Sequence, residues 1–260
     1  MVELNYLYIV AGALVGLLVG LTGVGGGSLM TPLLTLLFGI SPSIAVGTDL
    51  AFAALTKSVG TIAHRLHGNV RWDIVRLLCI GSLPAALASI LFLKYIGTVS
   101  SEWQHYIKLS IGLSVLLTAI SLIFRSRMRA WLSAHPQYEL RGNELRAATI
   151  VSGIVIGVLV TISSIGAGAI GATLIVFLYP ALKPSEVAGT DIAYAVPLTA
   201  LAAFGHFWLG NVNFDLLFAL LLGSVPAIWV GARLSKAFPE KITRSILAGV
   251  LTLVGLKLVS

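Results

Sequence analysis

Two aspartates, Asp49 in VGTDLAFA and Asp191 in AGTDIAYA, stand in otherwise apolar sequence and are 142 residues apart. Segments 46–94 and 188–236 align at that same offset without a gap, with about a third of their positions identical, the mark of an internal duplication. His64 falls on His206, GNVRWD on GNVNFD and GSLPA on GSVPA. Each aspartate lies about two turns into a helix expected to begin near Pro42 or Pro184, too deep to serve as a cap. Two roles suit an acid there: a structural carboxylate bonded to nearby amides or hydroxyls, or one that carries a proton or gates a pathway.

Lys57 follows Asp49 by about 12 Å along the helix axis and about 80° around it, so the two do not pair on one straight helix. Its repeat equivalent is Thr199. An internal ammonium suits an anionic substrate, and equally suits a salt bridge to Asp191 or Asp49 across the interface between the halves. Upstream, LTGVGGGSLM (21–30) meets ISSIGAGAIG (162–171) at an offset of 141. These glycines point either to close helix packing or to a broken helix whose freed amides and positive N-terminal end face an anion. On the second reading Gly25, Gly26, Gly27, Gly166 and Gly168 bind substrate, with hydroxyls from Thr22, Ser28, Ser163 and Ser164. His64 and His206 end their helices, as proton relays or as polar end groups.

The elements that must position these residues are membrane helices. Of 260 residues, 57% are hydrophobic and 10% are charged, and the mean hydropathy is +0.98, too apolar for a soluble domain of this length. Apolar runs near 4–22, 28–38, 43–64, 73–96, 104–124, 147–163, 169–180, 187–208, 215–236 and 242–259 predict ten segments. Segments 28–38 and 169–180 are short for a crossing of about 30 Å. If they cross, each half has five spans and the halves are inverted; if they dip and return, each has four and the halves are parallel.

Basic residues favour the first arrangement, because short cytoplasmic loops collect Lys and Arg. With the N-terminus outside, Arg65, Arg71 and Arg76 lie inside, as do Arg125, Arg127, Arg129, Arg141 and Arg146, and Arg233, Lys236, Lys241 and Arg244. The expected fold is an all-α polytopic membrane protein. It comprises two inverted repeats, 1–124 and 147–260, a basic cytoplasmic linker at 125–146, and Gly-broken short helices at the repeat interface. The first segment has a repeat partner at 147–163 and no small-x-small cleavage site, so it is expected to be permanent. Trp72, Trp103 and Trp208 fall at expected helix ends, where amphipathic rings settle.

The net charge of +7 sets orientation in such a chain and does not indicate a nucleic-acid partner. Cys79 is alone, which excludes an intramolecular disulfide and a cysteine metal site. No His, Cys and carboxylate set has the spacing of a metal centre or an enzyme's nucleophile and base, and no cofactor is implied.

GLTGVGGGSLMTPLL, the paired VGTD and AGTD segments and the paired HxxxGNVxxD turns resemble the sulfite exporter TauE/SafE family, also called the toluene sulfonate uptake permease family. The resemblance covers nearly the whole chain. It implies a multi-pass transporter of the cell (inner) membrane that moves small, often sulfur-containing anions such as sulfite or organosulfonates. The second half departs from the pattern, with Ala167 and Ala169 where Gly26 and Ser28 stand. The expected function is secondary transport by rocking one repeat against the other around a midplane anion site, with Asp49, Asp191, His64 and His206 coupling or gating. A passive anion channel is the alternative. Proton coupling and homo-oligomer formation are both compatible with this reading, and the lipid bilayer is the surrounding partner.

Overall fold

The computed structural model describes residues 6–22, 27–97, 101–135, 139–234 and 240–259. Gly23, Gly25, Gly26 and Lys236 lie outside the described residues. Among the described residues there are ten helices and no strand. The first half supplies α1 (Tyr6–Thr22), α2 (Gly27–Leu37), α3 (Pro42–Leu66), α4 (Trp72–Ile96) and α5 (Ser101–Ala134). The second supplies α6 (Gly142–Ser163), α7 (Ala169–Leu178), α8 (Pro184–Trp208), α9 (Phe214–Leu234) and α10 (Glu240–Val259).

Local chemistry explains the boundaries. Pro42 and Pro184 open α3 and α8, where the missing amide has no intrahelical acceptor to lose. Before α8 the Lys183 amide donates to the Glu186 carboxylate at 2.9 Å, holding the first turn. α5 has 34 residues, about 50 Å at 1.5 Å per residue, and so outruns a hydrocarbon layer of about 30 Å. Its last turns carry Arg125, Arg127 and Arg129, so the basic stretch 125–146 is helical up to Ala134 and again from Gly142.

Five helices, α4, α5, α6, α8 and α9, are long and apolar enough to cross a membrane. Leu87, Phe92, Leu113, Val151 and Leu222 point outward from them. That is the surface of a protein solvated by lipid, and the chain is a multi-pass membrane protein. Trp72 opens α4 and Trp208 closes α8, with the Lys94 ammonium 3.4 Å from the centre of the Trp208 ring.

Both short helices return the chain to the side on which the preceding helix began. Tyr8, near the start of α1, packs edge-on against Phe38, just beyond α2, with ring centroids 4.9 Å apart. Likewise Thr149, early in α6, shares a 2.8 Å hydrogen bond with the Tyr179 hydroxyl just beyond α7. Arg129, near the end of α5, donates to the Leu182 carbonyl at 2.8 Å.

The principal helix pairings mix the two halves: α1 with α9, α4 with α6, α3 with α8 and α5 with α10. Small residues make the first two possible. Gly12 and Gly16 of α1 lie against the main chain of Leu220 and Ser224 in α9, and Gly153 and Gly157 of α6 lie against that of Leu78 and Ser82 in α4. These are two G-x-x-x-G pairs at equivalent places, the spacing that lets membrane helices touch backbone to backbone. The pair is answered from the other side by Gly223 against Ile9 and Gly81 against Ile150.

A branched side chain at Gly153 therefore has to part α4 from α6. Gly153→Val is expected to abolish the monodisperse peak in detergent size exclusion, or to lower the unfolding midpoint sharply. Gly249→Val, whose added carbon meets nothing within 4 Å, is expected to leave both unchanged. Equal tolerance of the two substitutions would contradict this packing.

Candidate functional site

The middle of the molecule is the contact between α3 and α8, and it holds charge. Asp49 is 0%, Asp191 4% and Lys57 6% exposed. Lys57 forms no ion pair with either carboxylate, and its Nζ instead donates to the Ala167 carbonyl at 2.6 Å. Both Asp191 and Asp49 nevertheless interact electrostatically with this ammonium, and Asp191 also with the Arg125 guanidinium of α5. Two acids and one base thus share one buried region, with the partly exposed Arg125 at its edge; an ion left unpaired there would cost several kcal/mol, on the order of the 3–5 measured when a buried pair is broken.

Ala167 belongs to the interruption between α6 and α7. Ser164 ends α6 in a left-handed conformation, φ 59°, and Gly166 and Gly168 follow at φ 130° and 144°, values that side chains strongly disfavour. The interruption is tied down at its start. Ser163 Oγ donates to the Leu159 carbonyl at 2.6 Å and accepts the Ile165 amide at 3.2 Å, so this hydroxyl is spent on the helix end. Ser164 Oγ is different: it is buried without a hydrogen-bond partner and faces Asp49 across the two halves.

Each aspartate is served by a different hydroxyl. Thr31 Oγ1 of α2 donates to Asp49 Oδ2 at 2.6 Å. The repeat equivalent of Thr31 is Ala172, which has no hydroxyl to give Asp191. Beside Asp191 the hydroxyl comes instead from Tyr194, one turn along α8, where the first half has Phe52. Gly171, the equivalent of Met30, leaves the room that Tyr194 occupies: a carbon added there would strike both the Tyr194 hydroxyl and Asp191 Oδ1. The Gly168 amide also approaches Asp191, yet Asp191 Oδ1 and the Tyr194 hydroxyl complete no hydrogen bond.

The residues preceding the aspartates in each GTD motif fasten the halves together. Gly47 lies against the Asn211 carbonyl and Thr48 Oγ1 accepts the Asn213 amide at 3.1 Å. Reciprocally, Gly189 lies against the Asn69 carbonyl and Thr190 Oγ1 accepts the Arg71 amide at 3.0 Å. Each GTD segment is thus latched to the GNV turn of the opposite half. The histidines stand at these latches. His206 is buried with Nε2 2.9 Å from the Thr161 carbonyl, whereas His64 is half-buried beside Gly189.

Of the residues expected at a site, Asp49, Lys57, Asp191, Ser164 and Gly168 are brought together. Ser163 is beside them but engaged in the helix end. Ser28 is buried at the start of α2, Gly27 opens that helix and Thr22 closes α1, while Gly25 and Gly26 lie outside the described residues. His64 and His206 sit more than three turns along α3 and α8 from the aspartates, at the latches. Sequence reasoning missed Thr31, Tyr194 and the space left at Gly171, a residue it read only as one of the glycines of the break, and it placed Arg125 only in the basic linker. The first three were signalled by the positions where the duplicated halves differ beside an identical aspartate.

These features define a duplicated, multi-pass helical membrane protein with two buried aspartates and a buried lysine against an interrupted helix. The chain belongs to the Sulfite exporter TauE/SafE family, whose model matches residues 8–258. Probable membrane transporter protein YjnA of Bacillus subtilis (strain 168) is 38% identical over 251 residues, covering 96% of this chain and 98% of the relative. YdhB of the same organism, also named a probable membrane transporter protein, is 29% identical over 233 residues, covering 89% and 91%. MJ0441 of Methanocaldococcus jannaschii, likewise so named, is 23% identical over 268 residues, covering 96% and 93%. No solved structure matches the chain.

The fit of Tyr194 into the space beside Gly171 has a measurable signature. Gly171→Ala is expected to cost about 1–3 kcal/mol of stability by overpacking. In Gly171→Ala/Tyr194→Phe part of that cost returns, a coupling of at least about 0.5 kcal/mol in thermal unfolding of the detergent-solubilised protein. Strictly additive costs would mean that the hydroxyl does not use that space.

Proposed function

We propose that the protein is a proton-coupled secondary transporter of a small sulfur-containing anion, such as sulfite or an organosulfonate, in the cell membrane. Membership in the sulfite exporter family supports the substrate class. The observation that carries the reading is the junction of Lys57 with segment 164–168, where an ammonium, an unpartnered hydroxyl and the glycine-flanked N-terminal end of α7 converge within the bundle. An anion at Ser164 meets the positive end of α7 and the Lys57 charge together.

Segments 1–124 and 147–260 are the two repeats of this proposal, with 125–146 between them. The return made by α2 and by α7 supports five passes in each half, so that α1 and α6 begin on opposite faces and the repeats are inverted. The N-terminus is then outside and the basic stretch 125–146 is cytoplasmic, following the bias of Lys and Arg. Asp49 and Asp191 couple protons or gate, and access alternates around them. The protein acts without catalysing a covalent change and without a cofactor.

The test is uptake of radiolabelled sulfite into proteoliposomes with and without an imposed pH gradient. Wild-type flux is expected to follow the gradient and to fall by about tenfold or more in Lys57→Ala and in Asp49→Asn, each losing about 1.4 kcal/mol or more of stabilisation in the rate-limiting step. Flux indifferent to pH selects a passive anion channel. Absence of flux with sulfite and with organosulfonates overturns the anion reading.

A further inference from the structure

Around the Lys57 ammonium the structure places oxygen atoms that are buried and under-used. Its Nζ is bonded to the main-chain carbonyl of Ala167, in the interrupted segment. The two carboxylates that interact electrostatically with this ammonium, Asp191 and Asp49, are buried and their Oδ1 atoms complete no hydrogen bond, with the Tyr194 hydroxyl beside the first and Ser164 Oγ facing the second. Carboxylate, carbonyl and hydroxyl oxygens at the unwound part of a membrane helix form the ligand set of a hard monovalent cation. Among the described residues no group of three or more His, Cys, Asp and Glu side chains converges, so the set is not that of a transition metal.

We infer that the Lys57 side chain is a tethered monovalent cation occupying an alkali-cation site, and that removing its ammonium converts this site into one that binds sodium. The repeat shows how that exchange is accommodated. The equivalent of Lys57 in α8 is Thr199, whose hydroxyl is satisfied within its own helix by the Ala195 carbonyl at 2.8 Å. Threonine at position 57 is therefore compatible with this helix environment and removes the charge. Asp191 then keeps Arg125 as a base, while Asp49, when ionised, has no opposite charge left. A sodium ion takes the Ala167 carbonyl that the ammonium leaves and supplies that charge between the two carboxylates. In the wild type the site is filled from within, so the protein has no need of sodium.

The inference goes beyond the proposed transport function and is tested without reading transport. The unfolding midpoint of purified wild type, Lys57→Thr and Lys57→Thr/Asp191→Asn is measured in detergent, with sodium chloride replaced by choline chloride at constant ionic strength. Sodium is expected to raise the midpoint of Lys57→Thr by about 3–6 °C, as a ligand that binds the folded state does, and to leave the wild type and the double variant unmoved. A Lys57→Thr protein indifferent to sodium overturns the inference, as does an equal sodium response in the wild type. If Lys57→Thr unfolds in choline, recovery in sodium supports the inference and failure to recover in sodium overturns it. Loss of anion flux in the proteoliposome assay has no bearing on this result, and the reverse also holds.

Discussion

Charge buried between α3 and α8 is the constraint from which the centre of this molecule is built. Asp49, Asp191 and Lys57 are almost wholly removed from solvent, in a protein whose outer surface is apolar. An isolated ion in such a medium is penalised by several kcal/mol even after relaxation, so each charge recruits dipoles and opposite charges from its neighbours. Lys57 takes the Ala167 carbonyl, which is free to accept because α6 has stopped and α7 has not begun. An unbroken helix would have consumed that carbonyl in its own ladder. The interruption and the buried lysine are therefore two parts of one solution.

The duplicated halves have arrived at the same end by different residues. Asp49 receives a hydroxyl from the short helix α2, through Thr31, while the neighbouring position on its own helix is the hydrocarbon Phe52. Asp191 has Ala172 on the short helix and finds its hydroxyl on its own helix, in Tyr194. Met30 and Gly171 complete the exchange, one filling space and the other leaving it. The Thr31 bond to Asp49 Oδ2 is 2.6 Å, and in both acids Oδ1 completes no bond. The two acids thus draw on different partners although the motif around them is the same.

Much of the scaffold was legible in the sequence. Apolar runs located the ten helices, and Pro42 and Pro184 marked the starts of α3 and α8 because proline is tolerated where an amide has no acceptor. The continuation of α5 past Phe124 was not legible, because a helix leaving the membrane loses its apolar signature without losing its hydrogen bonds. Neither was the backbone partner of Lys57, since a carbonyl has no letter of its own. The packing pairs Gly12/Gly16 and Gly153/Gly157 were hidden among 27 glycines, where spacing alone does not distinguish a contact from a break. Gly25 and Gly26 fall outside the described residues, so the first interruption rests on the sequence reading.

The latches bear on how such a molecule moves. Gly47 and Thr48 hold the turn at Asn211–Asn213, and Gly189 and Thr190 hold the turn at Asn69–Arg71, so α3 and α8 are each fastened to the opposite repeat. The glycine seams of α1 with α9 and of α4 with α6 also cross between repeats. Rigid rocking of one sequence repeat against the other would have to part both latches and both seams, exposing main-chain groups to hydrocarbon at a cost of several kcal/mol each. The segment 164–168 is held by the Lys57 ammonium on the Ala167 carbonyl, by the Ser163 hydroxyl, and by main-chain bonds from Gly171 and Ala172 to the Gly166 and Gly168 carbonyls. On this scaffold the duplication supplies the two halves, while the latches and the glycine seams tie each half to the other.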